Sequence, residues 1–267
     1  MSAGHDVEAI VAGLVALGVV PGDTVMVHAS LRAVGPGDGG AEGLIGALDR
    51  AVAPSGTTLM VLGAEDEWAW VNDRPEQGRA ALLAEAKPFD ARTTPAEADV
   101  GALAEVFRTQ PGTVVNEHPE GRFGARGAAA DELVAEPPWD DYYGPGSPLE
   151  RLVNRRGKVL RLGADPDTVT LLHYAEYLAD VPDKRRVRRH RKVLGPSGPQ
   201  IRTVECLDDC NGIVDHPGED YFATILTAYL RTGRATTGTV GHATAELLDA
   251  ADLVSFATDW MNANLHR

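Results

Sequence analysis

Apolar residues first recur at helical spacing over Val7–Leu17, where Val7, Ile10, Val11, Leu14, Val15 and Leu17 fall near one face until Gly18 and Pro21 stop the run. The next apolar stretch, residues 24–28 (TVMVH), is short and rich in β-branched side chains. It predicts a buried strand that opens into a small-residue turn, ASLRAVGPGDGG. A helix over 41–52, a PSG turn and a strand over 57–62 follow. Helix, strand, helix and strand in alternation argue for a layered α/β architecture. The pattern then lapses. Residues 63–99 mix acids, Trp68, Trp70, Pro75, Pro88 and Pro95 with one short helical candidate near 79–86, the mark of a lid or binding loop in a compact domain. Beyond it the periodicity predicts helices over 100–108, 128–135, 167–178, 221–230 and 250–262, with strands over 113–116, 158–162, 192–194 and 202–206.

Composition narrows what such a chain can be. Hydrophobic residues make up 43% of 267 positions and are dispersed, enough to bury a core in a single domain spanning 1–267. No apolar run approaches the length of about 18 residues that a membrane helix needs, and the opening MSAGHDVEAI lacks the basic-then-apolar layout of a signal peptide. The expected location is the cytoplasm. Cys206 and Cys210 have neither the spacing nor the partners of a zinc site, and are expected to be reduced thiols. Asp and Glu outnumber Lys and Arg by 39 to 25, for a net charge of −14, which favours a cationic partner and disfavours nucleic acid.

Several clusters could carry chemistry. In TVTLLHYAE, His173 and Glu176 stand at i and i+3, so on a helix the carboxylate can hold the imidazole; the pair is either a general base with its orienting partner or a surface ion pair. Glu65, Asp66 and Glu67 precede Trp68 and Trp70, and acids beside aromatic faces suit a sugar-like polyamine as well as they suit a solvated loop. Glu205, Asp208 and Asp209 share that ambiguity. The turn after the first strand, with Ser30, Arg32 and several glycines, can offer backbone NH groups to phosphate or carbonyl oxygens, although it has neither nucleotide-binding glycine order. His118, before Pro119, reads as a structural histidine. The basic run PDKRRVRRHRK is expected to pair with the chain's own surplus acids.

In order along the chain, VMVHASLRAVGPGDGGAEGLIGAL, GTTLM with acids after it, KPFDARTTPAEADVGAL, EHPEGRFGARG, GPGSPLERL, KVLRLG, TVTLLHYAEYLADVPDKRRV and NGIVD resemble the aminoglycoside 3-N-acetyltransferase family, from roughly residue 8 to residue 260. Two segments depart from it. EHPEGRFGARG carries Glu120 where the family more often has a small residue and Arg122 in place of an apolar stretch, and the acid loop GAEDEWAWVND aligns poorly. The resemblance implies a layered α/β/α fold with a central mixed sheet and a smaller substrate-binding lobe, residues 63–99 lying on the substrate side. It implies acetyl-CoA as co-substrate without a metal, an aminoglycoside as the other partner, no nucleic acid or membrane, and a monomer or homodimer. His173 would be the base and Glu176 its partner. Ser30, Leu31, Arg32, Gly35, Ser147 and Thr170 would hold the cofactor, with Asp66 or Glu67, and Glu205 or Asp208, on the substrate. The competing expectations are an acetyltransferase of the same fold acting on a different amine and a non-catalytic polycation binder.

Overall fold

A computed structural model describes residues 6–35, 37–216 and 220–265. Helix α1 (Val7–Leu17) leads into β1 (Thr24–Ala29), then α2 (Leu31–Val34), α3 (Gly40–Val52) and β2 (Thr57–Val61). The irregular region holds α4 (Arg79–Leu83). After it come α5 (Ala102–Thr109), β3 (Val114–Val115), β4 (Phe123–Gly127), α6 (Ala130–Leu133), α7 (Pro148–Asn154), β5 (Lys158–Leu162) and α8 (Leu171–Leu178). A long hairpin, β6 (Arg186–Gly195) with β7 (Gly198–Leu207), precedes α9 (Tyr221–Arg231), β8 (Thr236–Val240), β9 (Ala243–Asp249) and α10 (Ala250–Asn264).

Seven strands form one mixed sheet in the order β3-β4-β2-β1-β5-β9-β8, while β6 and β7 pair only with each other. The centre is parallel, with β1 between β2 and β5, and antiparallel strands close both flanks. Alternation along β1 explains the layers. Val25 and Val27 point into a core shared with α1, α3 and α5, and Met26 into a second core shared with α6 to α10. Burial of both faces is why β1, β2 and β5 read as nearly continuous apolar runs. No helix among the described residues is long and apolar enough to cross a membrane.

The hairpin is far longer than the two short strands expected there, because its outward face is charged and hides the period of two. The arginines of its first strand are paired with acids, as the intramolecular reading expects. Arg186 meets Asp141 at 2.9 Å and Glu205 at 3.1 Å, and Arg188 meets Glu76 at 2.7 Å. Strand β5 stops at Gly163, whose φ of +60° favours glycine and where a Cβ would come within 2.4 Å of the Ala33 Cβ. The turn after β5 therefore lies directly against the turn after β1, which needs small residues for the same reason.

Candidate active site

Helix α8 follows β5 after the connection 163–170, which leaves the carboxyl end of the parallel strands, the side on which open α/β sheets place ligands. His173 Nδ1 donates to Glu176 Oε2 at 2.8 Å, and the imidazole is sandwiched by Tyr143, stacked at 4.9 Å between centroids, and Phe222, edge-on at 4.7 Å. Glu176 is buried, and its other oxygen accepts from the Tyr221 hydroxyl, which itself accepts from the Ile213 amide at 3.1 Å. Gly212 is the residue that lets the chain pass over that ring: its φ is +77° and a Cβ would sit 2.7 Å from Tyr221 Cε1. Burial by itself would push the His173 imidazolium below its ordinary range; the Glu176 carboxylate, by charge and by hydrogen bond, reverses this and leaves the pKa raised, with Asp209 and Asp220 adding to it. The histidine lines a polar cavity of about 320 Å³ together with Asp167, Asp209, Asp215, His216 and Asp220.

From this cavity an alternating row of charge runs toward the acid loop. Asp209 accepts from Arg189 at 2.5 Å and from the Tyr142 hydroxyl at 2.5 Å; Glu120 lies 3.9 Å from Arg189 and 3.2 Å from Arg191; Arg191 reaches Asp66 at 3.1 Å. Glu97 lies within electrostatic range of Glu120, Arg191 and Asp209. Burial lifts Glu97 and Glu120 above the usual carboxylate range, Arg191 and Arg189 only partly offsetting it at Glu120, whereas Arg189 and His173 outweigh burial at Asp209 and hold it below.

The structure separates the acids that the sequence grouped. Asp66 faces inward with its Oδ1 accepting from the Trp68 amide at 2.9 Å, while Glu67 is exposed. Glu205 sits on the outward face of β7, about half exposed and bound to Arg186, so it is not at the cavity. Asp208 is buried, its Oδ1 accepting from the amides of Cys210 and Asn211 at 3.2 and 3.0 Å and its Oδ2 from the Asn211 side chain at 3.2 Å; its neighbour Asp209 is the one that lines the cavity. Glu97, Glu120 and Tyr221 were not singled out for substrate or for the histidine, and no local spacing marks them, since they converge from three separate segments; Asp209 belongs to the acid cluster that the sequence offered.

The comparisons with known proteins fall on this geometry. The sequence pattern of the aminoglycoside 3-N-acetyltransferase family matches residues 26–262. An aminoglycoside N(3)-acetyltransferase VII from Streptomyces paromomycinus is 40% identical over 260 residues, 95% of this chain and 90% of its own. An aminoglycoside N(3)-acetyltransferase III from Serratia marcescens is 40% identical over 267 residues, covering 96% and 97%. The chain belongs to the aminoglycoside 3-N-acetyltransferase family. It is an acyltransferase of that family. A structure of AAC-IIIb as a binary complex with CoASH matches with a TM-score of 0.92 at 39% identity, covering 98% of this chain and 97% of that one. Sisomicin-bound AAC-VIa gives 0.91 at 38% identity, with 98% and 99% covered.

The positions to which the family resemblance assigns the cofactor are distributed unevenly. Ser30 to Gly35 form the turn after β1: the Ser30 hydroxyl accepts from the Ala33 amide at 3.2 Å, Leu31 is half-buried, Arg32 is exposed, and Gly35, at φ +89°, is closely approached by the His242 ring. Thr170 begins α8, its carbonyl accepting from the His173 amide at 3.1 Å. Ser147 is fully buried and caps α7, accepting from the Glu150 amide at 3.3 Å, which places its hydroxyl at the helix end. Both cysteines are free. Among the described residues, Asp208, Asp209 and Cys210 bring three possible ligand atoms within 4.8 Å of one another, but a cation there would have to displace Arg189 from Asp209.

Two other histidines are buried and neutral. His118 Nε2 donates to the Trp139 carbonyl at 2.8 Å, and Nδ1 accepts from the amides of Glu120 at 3.1 Å and Gly121 at 2.7 Å, so the ring is a strut under Glu120. His28 lies in register with Arg161 on β5, which pairs with Glu246 on β9 at 2.7 Å. Burial lowers both pKa values to about 4, with Arg161 adding to the effect at His28 and the Trp139 carbonyl opposing it at His118. An unfolded histidine titrates near about 6.5. Since the folded values are depressed, the contribution is intact above pH 6.5 and is lost as pH falls toward 4. Between pH 7.5 and 5.5 these two sites should cost about 2–3 kcal/mol of unfolding free energy. Urea unfolding at the two pH values checks this: His118→Gln should remove about half of the drop, and a drop that does not change would assign it to other groups.

Proposed function

We propose that the chain transfers the acetyl group of acetyl-CoA to the 3-amino group of a 2-deoxystreptamine aminoglycoside, inactivating the antibiotic, with His173 as general base. The observation that carries this reading is the fixed imidazole: Nδ1 is committed to Glu176, and Nε2 is left for the acid-lined cavity. An ammonium is no nucleophile, so one proton must leave the attacking nitrogen while neighbouring carboxylates keep the other amines charged. His173 Nε2 takes that proton, and Glu176, fixed in turn by Tyr221, stabilises the imidazolium. The likeness to AAC-IIIb, solved with CoASH, supports the co-substrate. The turn over 30–35 fits it, because a small-residue turn against Gly163 leaves backbone close to the carboxyl ends of β1 and β5, where amides can receive the carbonyl oxygen as charge builds on it. Acetyl-CoA supplies the thioester that the freed amine attacks.

Transfer is direct. Cys210 lines the cavity, but burial first and then the Asp209 charge push its thiol up to about 11, and Cys206 is pushed up to about 12. Neither offers much thiolate at neutral pH.

The pH profile tests the division of labour. The base works only when neutral, and its pKa is raised, so kcat/KM should climb with pH through one ionisation. Glu176→Gln keeps an acceptor and removes the charge that offsets burial, so the acid limb should move to lower pH while the plateau falls. Comparing both enzymes with one antibiotic cancels titration of the substrate's own amines. A limb that stays in place would reduce the pair to a structural contact.

A further inference from the structure

The inward face of β6 carries Val187, Arg189, Arg191 and Val193, so two guanidiniums occupy positions where a strand packed on a core ordinarily presents apolar side chains. Both are held on several sides. Arg191 donates to the Ala64 carbonyl at 3.2 Å besides meeting Asp66 and Glu120, and Arg189 donates to the Tyr142 hydroxyl at 2.9 Å besides meeting Asp209. Three carboxylates thus share two fixed cations in a row that joins the His173 cavity to a second cavity of about 210 Å³, lined by Asp66, Trp68 and Arg191. Side chains of Arg191, Arg189, Glu120, Asp66 and Asp209 are all 15% exposed or less, so salt and water screen them weakly.

We propose that Arg189 and Arg191 are specificity-determining residues, built-in counter-cations that occupy part of the acidic charge and so set how many ammonium groups a substrate can present to this row. The inference rests on reading the row as the amine-binding side of the site. An arriving ammonium group does not meet bare carboxylates. It meets carboxylates already matched to a guanidinium, and gains only from charge left over or from an arginine it displaces. A hydroxyl at the same ring position makes no such demand. The acids attract cations in general; the arginines make the attraction selective for a particular count and placement.

The test uses two aminoglycosides that differ at one ring position, amine in one and hydroxyl in the other, away from the acetylated nitrogen. The readout is the ratio of their kcat/KM values, amine over hydroxyl. Arg191→Gln leaves one more carboxylate uncompensated, so the ratio should rise, by about 3- to 10-fold for a partly buried charge contact. Glu120→Gln should lower it, and the double variant should return it toward the wild-type value even if Arg191→Gln alone folds poorly. A purely structural loss would reduce both substrates alike and leave the ratio unmoved; that result, or a fall in Arg191→Gln, overturns the proposal. Asp209→Asn separates the two layers of argument. If it leaves the KM of both antibiotics unchanged, the row is not the amine site and the proposal fails with it, whereas a wild-type enzyme that acetylates neither antibiotic overturns the functional reading itself. If it raises KM while the ratio ignores Arg191→Gln, only the role given to the arginines fails.

Discussion

His173→Ala is expected to lower kcat by roughly 10²- to 10⁴-fold, the usual worth of a positioned general base. The variant should still fold. Glu176 keeps the Tyr221 hydroxyl as a partner, and the space lost lies between Tyr143 and Phe222 at the wall of an existing cavity, not within the closed core. Thiol release at saturating concentrations of both substrates reports turnover, and calorimetric binding of acetyl-CoA reports whether the cofactor side survives. A loss below tenfold, about 1.4 kcal/mol of barrier, would be too small for proton abstraction and would move the base elsewhere.

The second large effect is on stability. Arg122 is fully buried, its guanidinium over the Phe89 ring at 5.4 Å, and it donates to the carbonyls of Ala91, Thr94 at 2.9 Å, Pro95 at 3.2 Å and Gly63 at 3.4 Å. It is a peg from the central sheet through the irregular segment that carries Asp66 and Glu97. Burial lowers its pKa to about 10, so it stays charged at neutral pH. Arg122→Met keeps most of the stem but strands the carbonyls of Ala91, Thr94 and Gly63, Pro95 keeping the Glu65 amide, and each stranded carbonyl costs on the order of 1 kcal/mol or more. The net loss should be about 3 kcal/mol, which for a chain of this size lowers Tm by roughly 6–12 °C. Limited proteolysis should cut within 63–99 before the rest of the chain opens. A Tm within about 2 °C of wild type would show that the segment is held by other contacts.

Arg122 also marks where sequence reasoning thins out. The strands at 24–29, 57–61 and 158–162 were legible because both faces are buried, and the His173–Glu176 pair because i and i+3 contact is local. Strand β4 was not, since Phe123–Gly127 contains two glycines and an arginine, and it is a strand only because β2 pairs with it residue by residue. Strand β8 escaped for a related reason: the first four residues of Thr236–Val240 are exposed and show no apolar alternation to detect. The acids divide in the same way. Asp208 and Asp209 are adjacent, and which of them turns inward depends on how the chain leaves β7 and wraps Asn211. Glu97 and Glu120 come together through Arg191, which no spacing along the chain encodes. His118 could be read as structural, but its particular task, fixing the amide of Glu120, needed the fold.

The two ends of the central sheet have a consequence for the enzyme in a crowded cell. One end is β3, two residues long, and the other is β8, whose first four residues are exposed threonines and a glycine. Open backbone at a sheet margin is where one protein can recruit another into a growing ribbon, and length and an apolar face are what make that recruitment stick. Here the one margin is too short and the other too polar to template a neighbour. Growth of the seven-stranded sheet from copy to copy is therefore disfavoured at both of its margins.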